Sequence, residues 1–339
     1  MGEKMITIAF FNNKGGVGKT SLVYHLSWMF AELGRKLIAV DLDPQANLTS
    51  MFLDEDRLEE LWPNGRHPLT IDGITEPIRR GTGDISEPHI ESILPNLGLM
   101  VGDLTLSTFE DRLSDAWLKC HNSDEASFRT MTAFYRAILR AGTRTGADIA
   151  LIDVGPNLGA INRAALIASD FVVVPLGSDL FSLQGLRNLG PSLKSWRSTW
   201  QELKTKNPDP DLLLPSGNMR PVGYVVMQHA TRVDRPVKAY QRWMDKIPAE
   251  YRKSVMADSI AGESTVERDP HCLATLKHYR SLMPMAMESH KPIFLLKPAD
   301  GAIGAHAAAV RDCYGDFKNL STKILHAVAT VLQSSRPLA

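Results

Sequence analysis

The chain has 339 residues, and its 38 Lys and Arg residues balance 38 Asp and Glu residues, so the formal net charge is zero. An apolar fraction of 44% is enough to form a buried core and argues against a disordered chain. Because the net charge is zero, any attraction to nucleic acid or to anionic lipid has to come from a local patch. These figures indicate an ordinary globular protein.

Cysteine use and hydropathy bear on the compartment. Cys120, Cys272 and Cys313 lie far apart and form no C-x-x-C pair, which argues against a disulfide framework, a zinc ribbon or a thiolate-held cluster. No apolar run approaches the roughly 18 residues of a membrane span. The apolar stretch that begins at Met5 is too short for a signal peptide. We therefore expect a soluble protein in the cytoplasm.

Short apolar segments rich in β-branched residues predict the strands. They are Ile6–Phe11, Lys36–Asp43, Asp148–Val154, Phe171–Gly177, Val222–Gln228 and Pro292–Lys297, with Leu97–Val101 as a weaker candidate. Continuous apolar runs, as opposed to alternating ones, are typical of strands covered on both faces, which is the environment of a parallel sheet.

Segments with helical periodicity lie between these strands. Apolar side chains recur at helical spacing over Leu22–Leu33, Phe128–Leu139, Leu186–Leu203 and Phe317–Leu332. The alternation of strand and helix predicts an α/β fold with a doubly wound, mostly parallel sheet flanked by helices. We expect a single domain over residues 1–339, with elaborations at 54–96 and 229–290, where the rhythm is interrupted.

The most informative segment is F-F-N-N-K-G-G-V-G-K-T-S, which runs from Phe10 to Ser21 between a predicted strand and a predicted helix. Glycine amides there can converge on phosphate oxygens because no Cβ blocks the approach, and the helix adds its positive N-terminal end. Lys19 would neutralise the β- and γ-phosphates, and the Thr20 hydroxyl would bind Mg²⁺. The predicted nucleotide-binding residues are Lys14, Gly15, Gly16, Val17, Gly18, Lys19, Thr20 and Ser21.

The loop departs from the common G-x-x-x-x-G-K-[ST] motif, because Asn13 takes the first glycine position and Lys14 opens a K-G-G-x-x-K-[ST] pattern. In this the chain resembles the ParA/MinD group of deviant Walker A P-loop ATPases. L-I-A-V-D-L-D-P-Q-A-N at 37–47 resembles the second motif of the ParA/Soj branch, and A-D-I-A-L-I-D at 147–153 resembles the Walker B strand. The resemblance implies ATP and Mg²⁺ as cofactors and a homodimer that forms when ATP is bound.

Catalytic roles follow from the same resemblance. It implies that Lys14 reaches across the dimer to the partner's phosphates, while Lys19 binds the phosphates in its own subunit. Asp41 and Asp43 are two residues apart at the end of a predicted strand, so their side chains leave the same face, where such sheets bind ligands. The resemblance implies that Asp43 orients the attacking water and that Asp41 supports the Mg²⁺ region. Asp153 would hold Mg²⁺ through a water molecule.

The predicted base contacts match the family by position only. They are Met227, Gln228 and Pro298. Each of them is also compatible with a place in the core.

Proteins of the ParA branch, as the resemblance implies, bind DNA non-specifically as ATP dimers and release it when a partner protein stimulates hydrolysis. Basic residues on predicted helices would make the phosphate contacts, together with Arg232, which stands where the resemblance implies a DNA-contacting arginine, and no base-reading groups are required. The candidates are Lys194, Arg197, Arg232, Arg235, Lys238 and Arg242. A solvated charged face is the alternative interpretation. The expected partners are DNA and a centromere-binding-protein-like activator or cargo adaptor, and the expected place is the nucleoid.

Other functions of the same fold remain open at this point. A membrane-associated, MinD-like protein would need a cationic amphipathic tail, but between Lys323 and Arg336 only His326 could carry positive charge, so packing in the core is favoured. A small-molecule ligase or kinase would turn over ATP only with an added metabolite. An adaptor holding ATP as a structural ligand would show negligible turnover.

Overall fold

The protein is described from a computed structural model, in which residues 5–227, 237–258, 264–279 and 281–334 are placed. Eight strands form a single sheet in the order β3-β4-β2-β5-β1-β6-β7-β8. All neighbouring pairs are parallel except β3 and β4. The strands are β1 (Ile6–Phe10), β2 (Leu37–Leu42), β3 (Glu91–Leu94), β4 (Leu97–Met100), β5 (Ile149–Val154), β6 (Phe171–Gly177), β7 (Arg220–Met227) and β8 (Cys272–Leu276).

Helices cover both faces of this sheet. They are α1 (Lys19–Glu32), α2 (Asn47–Phe52), α3 (Glu55–Leu61), α4 (Ile71–Arg80), α5 (Glu110–Lys119), α6 (Glu125–Met131), α7 (Ala133–Thr145), α8 (Ala160–Ile167), α9 (Leu180–Lys204), α10 (Val237–Met244), α11 (Ile247–Ser254), α12 (Leu282–Glu288) and α13 (Ala305–Gln333). The expected doubly wound, mostly parallel α/β architecture is confirmed.

The sheet separates two buried apolar layers. One layer packs α1 and α13 against the sheet, with Leu26 and Phe317 among its members. The other layer packs α7, α8 and α9 against the opposite face, with Phe134, Leu166 and Leu186 among its members. Because both faces are covered, the central strands β1, β2, β5 and β6 are buried almost throughout, as their continuous apolar sequences predict.

The register of the central strands brings their carboxyl ends together. Phe10 at the end of β1 is the partner of Asp153 in β5, and Asp41 in β2 pairs with the same Asp153 on the other side. In open sheets of this kind, ligands bind at this edge. The loops that follow β1, β2 and β5 therefore form one crevice.

Two predictions about elements are wrong, and two strands were not predicted. Pro292–Lys297 is no strand of the sheet: it contains a 3₁₀ turn, Ile293–Leu295, which packs in the same buried layer as α1 and α13. The predicted helix over Phe128–Leu139 is two helices, since α6 ends at Met131 and the Thr132 hydroxyl bonds back to the Phe128 carbonyl at 2.8 Å. The elaborations also contain strands that we did not predict, β3 in 54–96 and β8 in 229–290.

The remaining predicted strands are confirmed, with ends that match or shift by one or two residues. The helices around Leu22–Leu33, Leu186–Leu203 and Phe317–Leu332 are also confirmed, but they begin 3, 6 and 12 residues before those segments and end within one residue of them. Within the placed ranges, none of the helices combines the length and the hydropathy that a bilayer span requires.

Candidate nucleotide site

The loop between β1 and α1 has the geometry of a phosphate cradle. Gly16 and Gly18 adopt left-handed backbone angles, with φ of 71° and 84°, which only glycine takes without strain. Gly18 is the N-cap residue of α1 and has no side chain, so the first-turn amides are left for an anion. A helix N-terminus with free amides and a positive dipole end suits a phosphate group.

Lys19 and Asp153 form the floor of this cradle. Their side chains are 8% and 0% exposed, and Lys19 Nζ lies 3.8 Å from Asp153 Oδ1. In the part of the chain that is placed, neither carboxylate oxygen of Asp153 has a hydrogen-bond partner. Burial raises the pKa of Asp153 to about 6, and the Lys19 ammonium offsets part of that rise. A buried carboxylate that pairs with a lysine but accepts no hydrogen bond suits the water shell of a bound Mg²⁺ ion.

Asp41, beside Asp153, is held in a hydrogen-bond network. Its Oδ2 accepts from the amide and the hydroxyl of Thr49, both at 2.8 Å, and its Oδ1 accepts from the Asp43 amide at 3.3 Å. The Thr49 hydroxyl accepts in turn from the Gly102 amide at 2.8 Å. Burial, and then the negative charge of Asp153, raise the pKa of Asp41 to about 7. Asp41 thus ties α2 and the end of β4 to β2, and its support of Mg²⁺ stays a prediction.

Asp43 lies in the turn after β2 and is 4% exposed. Its Oδ1 accepts from the Gln45 amide at 3.0 Å, and its carbonyl accepts from the Ala46 amide at 2.8 Å. The loop after β5 approaches closely, since a Cβ on Gly155 would lie 3.4 Å from Asp43 Oδ1. The carboxylate is therefore fixed in the crevice that also contains Asp153.

Lys14 differs from Lys19 in its surroundings. The Lys14 side chain is 25% exposed, and its ammonium forms an ion pair with Asp179 at the start of α9. Asp179 is also the N-cap of that helix, because its Oδ1 accepts from the Ser182 amide at 2.9 Å. The ammonium lies 5.9 Å from the ring centroid of Phe181, whose side chain is 70% exposed. One lysine of the loop is thus buried in the cradle, and the other lies at its rim.

Asn12, which the sequence did not single out, anchors the start of the loop. Its Nδ2 donates to the Pro175 carbonyl in β6 at 2.6 Å, and its Oδ1 accepts from the Lys14 amide at 3.1 Å. A Cβ on Gly185 of α9 would lie 2.8 Å from Asn12 Oδ1, so that helix packs directly on the loop. The position of Lys14 is therefore set by β6 and α9.

A small apolar cavity of about 150 Å³ lies beside the phosphate cradle. Its walls include Gly18, Leu22, His25, Met227, Leu276, Lys277, Tyr279, Met283 and Phe317. Such a cavity next to the phosphate cradle suits a purine base.

Of the predicted base contacts, Met227 lines this cavity, and its Cε would lie 3.2 Å from a Cβ on Gly18. Pro298 is exposed in the 3₁₀ turn Pro298–Asp300 and is not among the lining residues. Gln228 lies outside the described residues. Tyr279, which we did not predict, is fixed by its hydroxyl, which donates to Asp316 at 2.5 Å.

His25 links the cradle helix to the far wall of the cavity. It is 1% exposed, Nδ1 donates to the Ser21 carbonyl at 2.7 Å, and Nε2 accepts from the Ile293 amide at 3.2 Å. The ring stacks on Phe317 with centroids 4.9 Å apart. These two bonds require a neutral imidazole with its proton on Nδ1. Burial lowers the pKa of His25 to about 4.

We expect the free energy of unfolding of His25→Gln to depend less on pH below pH 6.5 than that of wild type does. Between the folded pKa of about 4 and the unfolded value of 6.5, the unfolded chain binds a proton that the folded chain does not. The stability that wild type gains from keeping His25 neutral is fully present above pH 6.5, and it falls by about 3 kcal/mol as the pH drops to 4. Urea unfolding of both proteins between pH 4 and 7.5 measures it.

Asp41 and Asp153 affect stability in the opposite direction, because their raised pKa values make the folded chain bind protons that the unfolded chain has already lost. They are common to wild type and variant and cancel in the difference. A pH-independent difference between the two proteins would contradict the buried neutral His25.

The chain matches a known protein-family model. The AAA_31 model, which describes an AAA domain, matches residues 5–205, more than half of the chain. The chain belongs to this family. Its curated relatives include ParA proteins, and the chain is a P-loop ATPase of the ParA/Soj, deviant Walker A type.

Relatives by sequence are similar over part of their length. IncC of Escherichia coli is 27% identical over 195 residues, which cover 58% of this chain and 47% of IncC. A putative replication protein A of Sinorhizobium fredii is 33% identical over 200 residues, covering 58% and 46%. The chromosome partitioning protein ParA of Caulobacter vibrioides is 29% identical over 192 residues, covering 57% and 63%. The chain spans about half the length of the first two relatives.

Solved structures agree over almost the whole AAA_31 chain. Protein DIP2308 of Corynebacterium diphtheriae has a TM-score of 0.67 at 23% identity, covering 95% of this chain and 98% of its own. A McdA–ATP complex from Cyanothece has a TM-score of 0.60 at 14% identity, covering 97% and 98%. At these identities the likeness shows the fold, and it confirms a ParA-like P-loop architecture that extends beyond the matched residues.

The predicted DNA contacts of this ParA-type chain divide into two groups. Lys194 on α9 and Arg242 on α10 are exposed. Arg197 is half-buried instead, and its guanidinium donates to the carbonyls of Asn218 and Met219 at 2.5 and 2.8 Å. That side chain holds the segment before β7, and its predicted contact with DNA stays a prediction.

The other candidates cannot be placed. Arg232 and Arg235 lie outside the described residues. Lys238 belongs to α10, but its side chain also lies outside them.

Proposed function

We propose that the protein binds MgATP in the cradle and hydrolyses it. The first-turn amides of α1 and Lys19 would bind the phosphates, and Thr20 and Asp153 would hold Mg²⁺. The ion, when bound, would neutralise charge on the β- and γ-phosphates. Asp43 would orient a water molecule for attack on the γ-phosphate. The buried oxygens of Asp153, which accept no hydrogen bond in the described part of the chain, support this assignment.

We further propose that ATP binding closes two copies of the chain into a dimer. The observation that carries this proposal is the division of labour between the two lysines of the loop, with Lys19 buried and Lys14 at the rim. Only a lysine at the rim can leave its own subunit and meet the partner's phosphates. The exposed ring of Phe181 beside it is a surface that a second subunit would cover.

The dimer would bind DNA without sequence preference. α9 and α11 touch through their backbones, because a Cβ on Gly190 would lie 1.7 Å from the Ser254 carbonyl oxygen. Through this contact we expect the exposed cations Lys194, Arg242 and Lys246 to lie on one side of the molecule. Such a group can bind the phosphate backbone but reads no bases.

The cycle would position or partition DNA or another large cargo. Curated relatives are named as chromosome partitioning proteins and as a cell division protein, PomZ. By analogy, a partner protein would stimulate hydrolysis and release the dimer from DNA. The bound nucleotide would therefore determine whether the protein is held on the nucleoid DNA or released from it.

Retention on double-stranded DNA should require ATP and should weaken steeply with salt. With about four phosphate contacts, the apparent affinity would fall roughly a hundredfold between 50 and 200 mM salt. Arg242→Gln should reduce the salt slope by about one unit, because one phosphate contact is lost. Fluorescence anisotropy with a labelled duplex, in ATP and in ADP, measures both effects.

Lys318→Gln is the matched control, since Lys318 is an exposed cation on α13, away from the proposed face. It should leave the slope unchanged. Retention that is independent of ATP, or an equal loss in both variants, would count against the proposed switch.

A further inference from the structure

The N-terminus of α8 is capped by a side chain from a different helix. Gly159, its N-cap residue, has no side chain to offer. Glu110, in the first turn of α5, accepts from the Ala160 amide at 2.5 Å through Oε1 and from the Ile161 amide at 2.8 Å through Oε2. One carboxylate thus satisfies two amides that would otherwise lack intrahelical partners, and its charge complements the helix dipole.

The loop that leads into α8 forms part of the wall of the nucleotide crevice. This loop, residues 155–159, follows the last residue of β5, one position after Asp153. A Cβ on Gly155 would lie 3.4 Å from Asp43 Oδ1, and a Cβ on Gly15 would lie 3.9 Å from Pro156. A displacement of the loop would therefore disturb both Asp43 and the phosphate cradle.

Asn162 connects α8 to that loop. It is 1% exposed, and its Oδ1 accepts from the Gly155 amide at 3.1 Å. Its Nδ2 donates to the carbonyls of Gly155 and Asn157 at 2.9 and 2.7 Å. The position of α8 therefore determines the position of the loop.

Glu110 itself sits on a firmly packed helix. Trp117 of α5 lies under the guanidinium of Arg163 in α8, with 4.5 Å between cation and ring centroid. The same indole stacks on Trp200 of α9 at an interplanar angle of 15°. A Cβ on Gly159 would lie 2.6 Å from Glu110 Oε1, so the carboxylate fills the space at the helix end. α5 thus holds α8 both at its end and along its side.

We propose that Glu110 is a positioning residue for ATP hydrolysis. By capping α8 it holds the 155–159 loop against Asp43 and the cradle, without touching the nucleotide itself. The inference rests on the proposed ATPase function, and it assigns part of that activity to a helix outside the phosphate-binding motifs.

Glu110→Ala should lower kcat about tenfold and leave KM for ATP within about twofold, as losses of supporting residues around an active site do. Glu110→Gln keeps one acceptor oxygen but turns an amide group towards the second N–H, so its effect should be intermediate. The matched control is Asp111→Asn, which removes the same charge from the adjacent, exposed position. Control kinetics should equal those of wild type.

A second measurement separates positioning from general loss of stability. Amide hydrogen exchange in the full chain should accelerate in Glu110→Ala at residues 155–161, with the central strands unchanged. Equal kcat and equal exchange in wild type and Glu110→Ala would overturn the inference, as would accelerated exchange throughout the sheet. If the wild type does not hydrolyse ATP, the proposed function fails, and the exchange pattern still decides whether Glu110 holds the loop.

Discussion

Asp43→Ala is expected to lower ATP turnover by about a hundredfold or more while ATP binding stays within a few-fold of wild type. Asp43 is buried beside the cradle, where its carboxylate can orient a water molecule but is not needed to bind phosphate. Steady-state phosphate release, together with the affinity for a fluorescent ATP analogue, measures the two effects separately.

Asp43→Asn serves as the companion variant. It keeps an oxygen that can accept the hydrogen bond of the Gln45 amide, so the turn after β2 should remain intact. If Asp43 acts through its negative charge, ATP turnover in this variant should be as slow as in Asp43→Ala. Normal turnover in both variants would remove Asp43 from the mechanism.

Lys14→Ala is expected to reduce turnover by about a thousandfold, which is the scale of effect that a cation supplied across an interface has on phosphoryl transfer. ATP binding should persist, because Lys19 and the α1 amides remain. The mass of the protein in ATP should stay that of a monomer. Phosphate release and light scattering on the same sample measure the two outcomes.

Asp179→Asn is the contrasting variant. It removes the charge that holds Lys14 within its own subunit but leaves Lys14 itself, and an asparagine can still cap α9. Turnover should therefore be at least that of wild type. A Lys14→Ala protein that hydrolyses ATP at the normal rate would show that the lysine at the rim is a surface residue.

The cradle could be predicted from sequence because its parts are local. Gly15 to Thr20 are contiguous, and the glycines and Lys19 carry their chemistry in the order of the motif. The central strands could also be predicted, since burial on both faces requires an unbroken apolar run. Strand β8 was not predicted because its Cys272–Leu276 sequence lies at the sheet edge, where only two of its five residues are buried.

The contacts that support the site could not be predicted, for a different reason. Asn12 meets Pro175, Lys14 meets Asp179 and Glu110 meets Ala160, at separations of 163, 165 and 50 residues. No local pattern connects such pairs, because the sheet order brings them together. For Arg197, the helical spacing predicted a place on a basic edge but did not predict its bonds to carbonyls 21 and 22 residues away.

The most direct test of the account is the solution mass of Asp43→Ala in ATP, compared with that of a double variant that also carries Lys14→Ala. Light scattering should give about twice 37.5 kDa for the first protein and 37.5 kDa for the second, with both monomeric in ADP. This result would show that ATP pairs two chains through Lys14. Equal masses for the two proteins in ATP would contradict the account.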